Sequence, residues 1–491
     1  MTLSPNALYL LEHRYCLKGE KPDDVLKRVS KFLGDGSTKL QRSIYNLMKS
    51  GTFLPNSPCL FNAGLEKGNL HACYILPIED DIESILAALG DMVRIFKSGG
   101  GAGINFSPLR PEGSPLSGRG EASGPISFME AFDKMVVIIK QGGVRRGALM
   151  GILNHYHPDI FEFMKVKQTG KLQNFNLSVL VTDDFMNALD KKENSNLQKN
   201  IFDVACLNAW SNGDPGLLFY DRINKDNPLF PKVQIDCCNP CSEVAMPPYS
   251  ACCLGSINIS KFVFEDDFDL DAFGETCALA VQILSKMNEK SSYPSKKVQA
   301  KMKEYNPVGV GIMGFADALI MLGIKYDSKE SLDFIDRVGE VYETATKNTE
   351  KDIFHFYRRI IAPTGSLSIL ADCSSGIEPV FDAAFKRNLT VGVISETREL
   401  YKSKYTRTSH QVSAEWHVKV LAQWQKWVDG GVSKTVNLPR EASVQDVRDV
   451  YRMAWELGCK GITVYRDQSR TDQVLTSTFK PNRCEGDSCT L

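Results

Sequence analysis

The stretch Cys-Cys-Asn-Pro-Cys-Ser-Glu-Val-Ala-Met, residues 237–246, sets three thiols, an amide and a carboxylate within seven positions. Thiols oxidise readily, so such a cluster beside a carboxylate calls for a chemical reason. Asn239, Cys241 and Glu243 stand at i, i+2 and i+4, and in an extended loop alternate side chains share one face. Pro240 lacks an N–H and biases Asn239 away from helix. One short loop can then present an amide, a thiol and a carboxylate to one small ligand. Three chemistries fit: a redox or nucleophilic thiol, a zinc site using Cys238-x-x-Cys241, or a structural thiol cluster. A closed zinc site wants a second close pair, and Cys252 and Cys253 are adjacent, a poor geometry for joint ligation.

Other stretches carry chemistry as well. Thr364, Gly365, Ser366 and Ser368 can open a helix whose free N–H groups and hydroxyls suit a phosphate, or serve as a plain N-cap. Arg145 and Arg146 lie among glycines and can grip phosphate or sit in a solvated turn. The glycines of 97–113 follow a helical pattern and precede a strand pattern, the reverse of a dinucleotide-binding fingerprint. Cys484 and Cys489 close the chain on a polar segment, where an exposed thiol pair favours thiol–disulfide exchange.

The elements that must position these groups read as α/β. Residues 1–50 carry two helical patterns with a Ser-Pro start and a glycine stop. From 51 to 465 short apolar runs alternate with helical stretches, the texture of βαβ units and largely parallel sheet. Residues 190–200 read as an exposed polar loop, and 466–491 as a mobile tail. The 491 residues carry 58 Lys+Arg and 59 Asp+Glu, a net charge of −1, so nothing draws the chain to nucleic acid or an anionic membrane. There is no signal-peptide pattern and no apolar run of membrane-spanning length, which implies a cytoplasmic protein. In that compartment the 14 cysteines are not structural disulfides. Cys16, Cys206, Cys277, Cys373 and Cys459 read as buried reduced thiols.

The chain resembles the catalytic subunit of ribonucleotide reductase, most closely the adenosylcobalamin-dependent class II enzymes. The resemblance runs from about residue 3 to the end, through FLPNSPCLFNAG, GGGAGINFSPLRPEG, KQGGVRRGALMG, NFNLSVLVTDDFM, NPCSE, ACCLGSINIS, PTGSLSILADCSSGIEP and GITVYRDQSR, in that order. It implies a ten-stranded α/β barrel of two antiparallel five-stranded parallel halves, with a finger loop near 237–246 inside it. It also implies reduction of ribonucleotides, expected as diphosphates, to supply deoxyribonucleotides for DNA replication. Cys241 would become a thiyl radical, Glu243 would take the 3′-hydroxyl proton, and Asn239 would orient the substrate. Cys73 and Cys252 would form a disulfide at each turnover, Cys252 being selected over Cys253 by register on Leu254-Gly255. Cys484 and Cys489 would re-reduce that disulfide and be recharged by thioredoxin or a similar dithiol protein. Asn56, Ser57, Cys59, Ala72, Gly101, Pro363, Thr364, Gly365, Ser366 and Ser368 would bind substrate. Ser242 stands where the family commonly has glycine, and Cys59 where threonine is common.

By the same resemblance Asp133, Lys140 and Arg146 fall in an effector region for a deoxynucleotide or ATP at a homodimer interface. Gln168–Asn174 matches the relay loop to the substrate. No ATP-binding cone precedes the core helices, so on/off control by dATP there is expected to be absent. Class I relatives receive the radical through a tyrosine pair. Here Tyr465 is followed by Arg466, which favours adenosylcobalamin bound to this chain over a class I-like subunit needing a separate metal-bearing partner. A more distant alternative is a zinc- or thiol-stabilised nucleotide-binding protein without radical chemistry. None of the seven histidines sits in a pattern expected of a cobalt ligand, and no metal ligand is expected among the side chains.

Overall fold

The computed structural model describes residues 3–139, 148–191, 196–469 and 475–477. Its N-terminal segment is helical, as the sequence predicts: Pro5–Leu10, a π turn at Leu11–Tyr15, Pro22–Leu33 and Thr38–Ser50. Ser4 caps the first helix by accepting from Ala7 N, with Pro5 at the position where its missing N–H costs nothing. Gly51 ends the last of them in the left-handed conformation at φ +70°.

The strands that follow are β1 (Phe53–Pro55), β2 (Cys73–Leu76), β3 (Gly101–Asn105), β4 (Leu149–Asn154), β5 (Phe175–Val181), β6 (Gly216–Phe219) and β7 (Leu254–Asn258). After them come β8 (Val263–Phe264), β9 (Asp267–Phe268), β10 (Gly309–Met313), β11 (Ala384–Leu389), β12 (Gly392–Thr397), β13 (Thr435–Leu438), β14 (Gly461–Arg466) and β15 (Leu475–Ser477). The largest sheet has the order β13-β14-β6-β5-β4-β3-β2. Strands β2 to β6 run parallel, and β14 runs antiparallel to β6 and parallel to β13. A second sheet pairs β7 antiparallel with β1 and parallel with β10. Helices Ile82–Lys97, Gly124–Ile138 and Asn196–Asn212 make crossovers between consecutive parallel strands, so the α/β reading holds. Strands β2, β3, β4 and β6 are buried along their whole length, as parallel strands covered on both faces must be.

Isolated bridges link these sheets. Tyr74 bridges Ala251, with Cys252 N donating to Cys73 O at 2.8 Å. Val310 bridges Arg359, and Ile361 bridges Val432. The side chains facing inward from β2, β4, β5 and β6 pack with Cys237, Cys238, Val244, Ala245, Met246, Tyr357 and Ile360 as a core of their own. The loop first singled out by its chemistry is therefore also a structural plug.

Two sequence expectations change. The polar run at 190–200 is not wholly loop, since helix Asn196–Asn212 begins inside it. Leu197, Lys199 and Asn200 near its start face solvent, while Ile201, Ala205 and Ala209 bury on the opposite side at helical spacing. Within the segment read as tail, the backbone of β15 pairs antiparallel with β11, Arg387 opposite Leu475. Cys206, Cys277, Cys373 and Cys459 are buried free thiols as expected, and Cys16 is half-buried. Among the described residues no helix is long and apolar enough to cross a membrane.

Candidate active site

The loop around Cys241 is a tight turn. Cys238 bridges Ala245, Asn239 N donates to Val244 O at 3.0 Å, and Ser242 N donates to Asn239 O at 2.9 Å. The shared-face expectation for Asn239, Cys241 and Glu243 assumed extended backbone. The structure reaches a similar juxtaposition by reversing the chain. Asn239 Nδ2 donates to Glu243 Oε1 at 2.9 Å, and Asn239 Oδ1 accepts from Val244 N at 3.0 Å. Asn239 and Glu243 are both buried, whereas Cys241 is exposed at the tip. The turn requires φ +67° at Ser242. That is the left-handed region glycine favours, and glycine is the residue the resemblance leads one to expect there.

Long-range contacts hold the turn in place. Asn176 Nδ2 on β5 donates to Pro240 O at 2.7 Å, Gly431 N donates to Glu243 O at 2.7 Å, and Tyr357 Oη donates to Ala245 O at 2.8 Å. Gly103 on β3 lies so close that a Cβ there would meet Cys238 O at 1.8 Å, so no side chain fits. Gly101 plays a milder version of the same part, its Cβ position lying 3.3 Å from Pro240 Cγ and 3.5 Å from Cys73 Sγ.

Cys73 and Cys252 sit side by side where β2 meets the segment leading into β7, and both are buried and reduced. Burial pushes the Cys252 thiol well above its ordinary range, and the neighbouring Cys73, Glu243 and Cys241 push it the same way. Both thiols thus lie in the electrostatic neighbourhood of the turn. Cys253 points elsewhere: its Sγ donates to Leu284 O at 3.3 Å in the main core. Strand alternation sends adjacent residues to opposite faces, which separates Cys252 from its neighbour. Cys238 is sealed and Cys241 exposed, and among the described residues no three His, Cys, Asp or Glu side chains gather as ligands for a metal ion.

Cys241 and Ser242 line an open cavity of about 520 Å³. Pro363, Ser374, Ser375, Arg387, Lys434 and Tyr465 share its wall. That volume lies in the range of small-molecule sites. Behind Pro363, Thr364 Oγ1 accepts from Gly376 N at 2.8 Å and Ser366 stands at the N-cap position of helix Leu367–Ala371 without a side-chain cap bond, so the expected helix opening is present. Arg387 Nη1 donates to Gly365 O at 3.3 Å. Asn56 caps helix Ser57–Asn62 through Cys59 N, Ser57 Oγ contacts Tyr15 Oη at 2.8 Å, and Cys59 is fully buried. Ala72 is buried next to Cys73, its N–H 3.5 Å from Cys252 O.

Asp133 and Asn174 meet: Asn174 N and Nδ2 both donate to Asp133 Oδ1, at 3.0 and 3.1 Å. Gln168 Nε2 donates to Asn208 Oδ1 at 2.6 Å, anchoring the other end of that loop. Lys140, Arg145 and Arg146, and the thiols Cys484 and Cys489, lie outside the described residues.

Sequence reasoning missed several participants. Asn176, Tyr357 and Gly431 act by contacts more than 60 residues along the chain, and no local pattern marks them. Lys434 was missed too: its fully buried ammonium donates to Glu378 Oε2 at 2.5 Å and lies 2.8 Å from His417 Nδ1. Glu378 sits inside the quoted SSGIEP stretch, and that adjacency was the available signal.

The profile described as "Ribonucleotide reductase, barrel domain" matches residues 71–204, 196–353 and 391–465, and the one described as "Ribonucleotide reductase, all-alpha domain" matches residues 1–68. The chain belongs to the ribonucleotide reductase family. It is 39% identical over 515 residues to a vitamin B12-dependent ribonucleoside-diphosphate reductase of Thermoplasma acidophilum, covering 89% of this chain and 67% of that protein. A protein of the same description from Mycobacterium tuberculosis is 36% identical, covering 90% of this chain and 74% of its own length. The class Id ribonucleotide reductase alpha subunit of Actinobacillus ureae superposes with a TM-score of 0.81 at 21% identity, over 95% of this chain and 97% of that one. That likeness speaks to fold alone. The reductase fold in this chain leaves Cys241 exposed above two sealed thiols.

Proposed function

We propose that this reductase converts ribonucleoside diphosphates to 2′-deoxyribonucleotides by thiyl-radical chemistry on Cys241. The observation that carries the reading is the layered thiol arrangement: Cys241 exposed at the cavity, Glu243 and Asn239 bonded beneath it, and the reduced Cys73–Cys252 pair behind. Relatives more than a third identical are named as vitamin B12-dependent reductases of ribonucleoside diphosphates.

Among the described residues Cys241 is the exposed thiol on this open cavity, which suits a cofactor acting on a thiol; adenosylcobalamin, when bound, would supply removal of a hydrogen atom from it. Cys241, Phe381 and Tyr465 line the space such a group would share with the nucleotide. The Cys241 thiyl takes the 3′-hydrogen of the ribose. Glu243 accepts the 3′-hydroxyl proton, and the 2′-hydroxyl leaves as water with a proton from the dithiol. Cys73 and Cys252 give two electrons and their second hydrogen to C2′ and become a disulfide, Glu243 returns its proton to the 3′-oxygen, and Cys241 returns the hydrogen to C3′. Arg466 supports a radical source other than a tyrosine pair. Its Nε donates to Trp210 O at 2.9 Å and its guanidinium lies 4.2 Å from that indole's centre, so the position is built for an arginine.

The barrel belongs to the same proposal. The bridges at Tyr74–Ala251, Val310–Arg359 and Ile361–Val432 support one ring through β7, β10, residues 359–361, β13, β14, β6, β5, β4, β3 and β2. That ring has ten members in two parallel halves, with residues 237–246 as the finger inside it. Residues 1–50 pack as a helical segment before the catalytic domain of 51–465, and Cys484 and Cys489, in the segment the sequence marks as a tail, relay electrons from a thioredoxin-like protein. The Asp133–Asn174 contact supports effector control through Gln168–Asn174, with Lys140 and Arg146 on a homodimer's effector site. A cytoplasmic location follows from the need to keep these thiols reduced.

One turnover tests the thiol assignment. Pre-reduced enzyme given CDP and cofactor without external reductant should form deoxynucleotide and a Cys73–Cys252 disulfide in equal amounts, read by peptide mapping. Product with Cys73 and Cys252 still reduced would refute the pairing.

A further inference from the structure

We propose that Arg14 reads the terminal phosphate of the bound nucleotide and so sets how many phosphates the substrate carries. The proposal rests on the nucleotide reading above and names a specificity residue for it. Arg14 lies in the π turn Leu11–Tyr15, and its Nη1 donates to Ser366 Oγ at 2.7 Å. Its guanidinium carbon is 5.7 Å from the ring centres of both Tyr15 and Phe61, which fixes the direction of the group. Among the described residues Arg14 forms no ion pair, and its Nε is buried without a hydrogen-bond partner. Other inward-facing arginines are paired: Arg28 with Glu20, Arg359 with Asp429, Arg387 with Glu396 and Arg398 with Asp317. Arg14 is half-buried with its Nε sealed from water, and a partly desolvated cation with no counter-ion gains from a bound anion.

Two further polar groups nearby lack partners. Asn56 Nδ2 and Ser368 Oγ are buried without hydrogen bonds among the described residues, on residues 6% and 1% exposed. The Tyr15–Ser57 contact joins the turn bearing Arg14 to the helix that Asn56 caps, and Ser366 joins it to the helix that carries Ser368. Guanidinium, amide and hydroxyl thus stand on elements joined by these contacts and leave hydrogen-bonding capacity over, the pattern a phosphate satisfies. Arg14 does not line the cavity beside Cys241, whereas Pro363 does. A nucleotide with its ribose at Cys241 therefore runs past Pro363 and Ser366 and ends at Arg14, which places the guanidinium on the last phosphate of a diphosphate.

The test is binding of CDP and of CMP to the whole chain by titration calorimetry, for the parent protein, Arg14→Met and Arg14→Lys, with melting temperatures alongside. Arg14→Met should weaken CDP binding by roughly 10- to 100-fold, the range for a hydrogen-bonded charge, and leave CMP binding within about twofold. Arg14→Lys keeps charge and bulk, folds as the parent does and should recover part of the CDP affinity. In turnover the loss should fall on KM rather than kcat. Equal weakening of CDP and CMP, or no weakening in either variant, would overturn the assignment. If the parent chain and variants bind as described but no deoxynucleotide is made, the activity reading fails and the Arg14 assignment stands. A parent chain that binds neither nucleotide sinks both.

Discussion

Replacing Cys241 by serine should abolish deoxynucleotide formation, a loss of at least about 10⁴-fold, comparable to removing a covalent nucleophile elsewhere. The substitution is nearly isosteric at an exposed tip, so the turn and the cavity wall survive it. A serine O–H is too strong to give up its hydrogen under conditions that take one from a thiol, so the chemistry stops at its first step. Nucleotide affinity and melting temperature should stay within error of the parent. That split matters because a thiol or zinc cluster serving stability predicts the reverse, a lowered melting temperature with binding altered in proportion. Turnover of Cys241→Ser above one percent of the parent would remove Cys241 from the radical role.

Glu243→Gln should lower kcat by about 10²- to 10⁴-fold, the usual contribution of a positioned general base. Glutamine keeps the length of the side chain and an oxygen that can accept from Asn239 Nδ2, the bond seen at 2.9 Å. The backbone bonds of the turn, including Gly431 N to Glu243 O, are indifferent to the change. What is lost is the ability to take the 3′-hydroxyl proton. KM for the nucleotide should therefore move little while kcat falls. Glu243→Asp retains a base but withdraws it by one methylene, and should fall between the two. If Glu243→Gln instead raised KM with kcat intact, the carboxylate would be a binding group.

The candidate site was more legible than the architecture that builds it. Residue type and spacing alone brought Asn239, Cys241 and Glu243 together, and the structure joins Asn239 to Glu243 directly. The physical reason was different: a turn through Ser242 at φ +67°. Backbone reversal is hard to read when the residue at the bend is serine, since glycine is the usual mark of that conformation. The choice between Cys252 and Cys253 came from register against relatives, and strand alternation supplies its cause. Asn176, Tyr357 and Gly431 were illegible because each meets the turn from a distant segment, and such contacts leave no local periodicity. Arg14 was hidden for the same reason, its hydroxyl partner lying 352 residues away. The start of helix Asn196–Asn212 was missed because its one early apolar residue, Leu197, is exposed and only later residues show the buried stripe. Strand β15 was missed because three residues have no pattern of their own and pair only where β11 offers an edge.

The most direct measurement is CDP reduction by the purified chain alone, with dithiothreitol, with and without adenosylcobalamin. Cobalamin-dependent formation of dCDP over many turnovers is the predicted result. No product under any effector until a separate metal-bearing subunit is added would contradict it, and would return the radical source to a path that does not need a second tyrosine beside Tyr465.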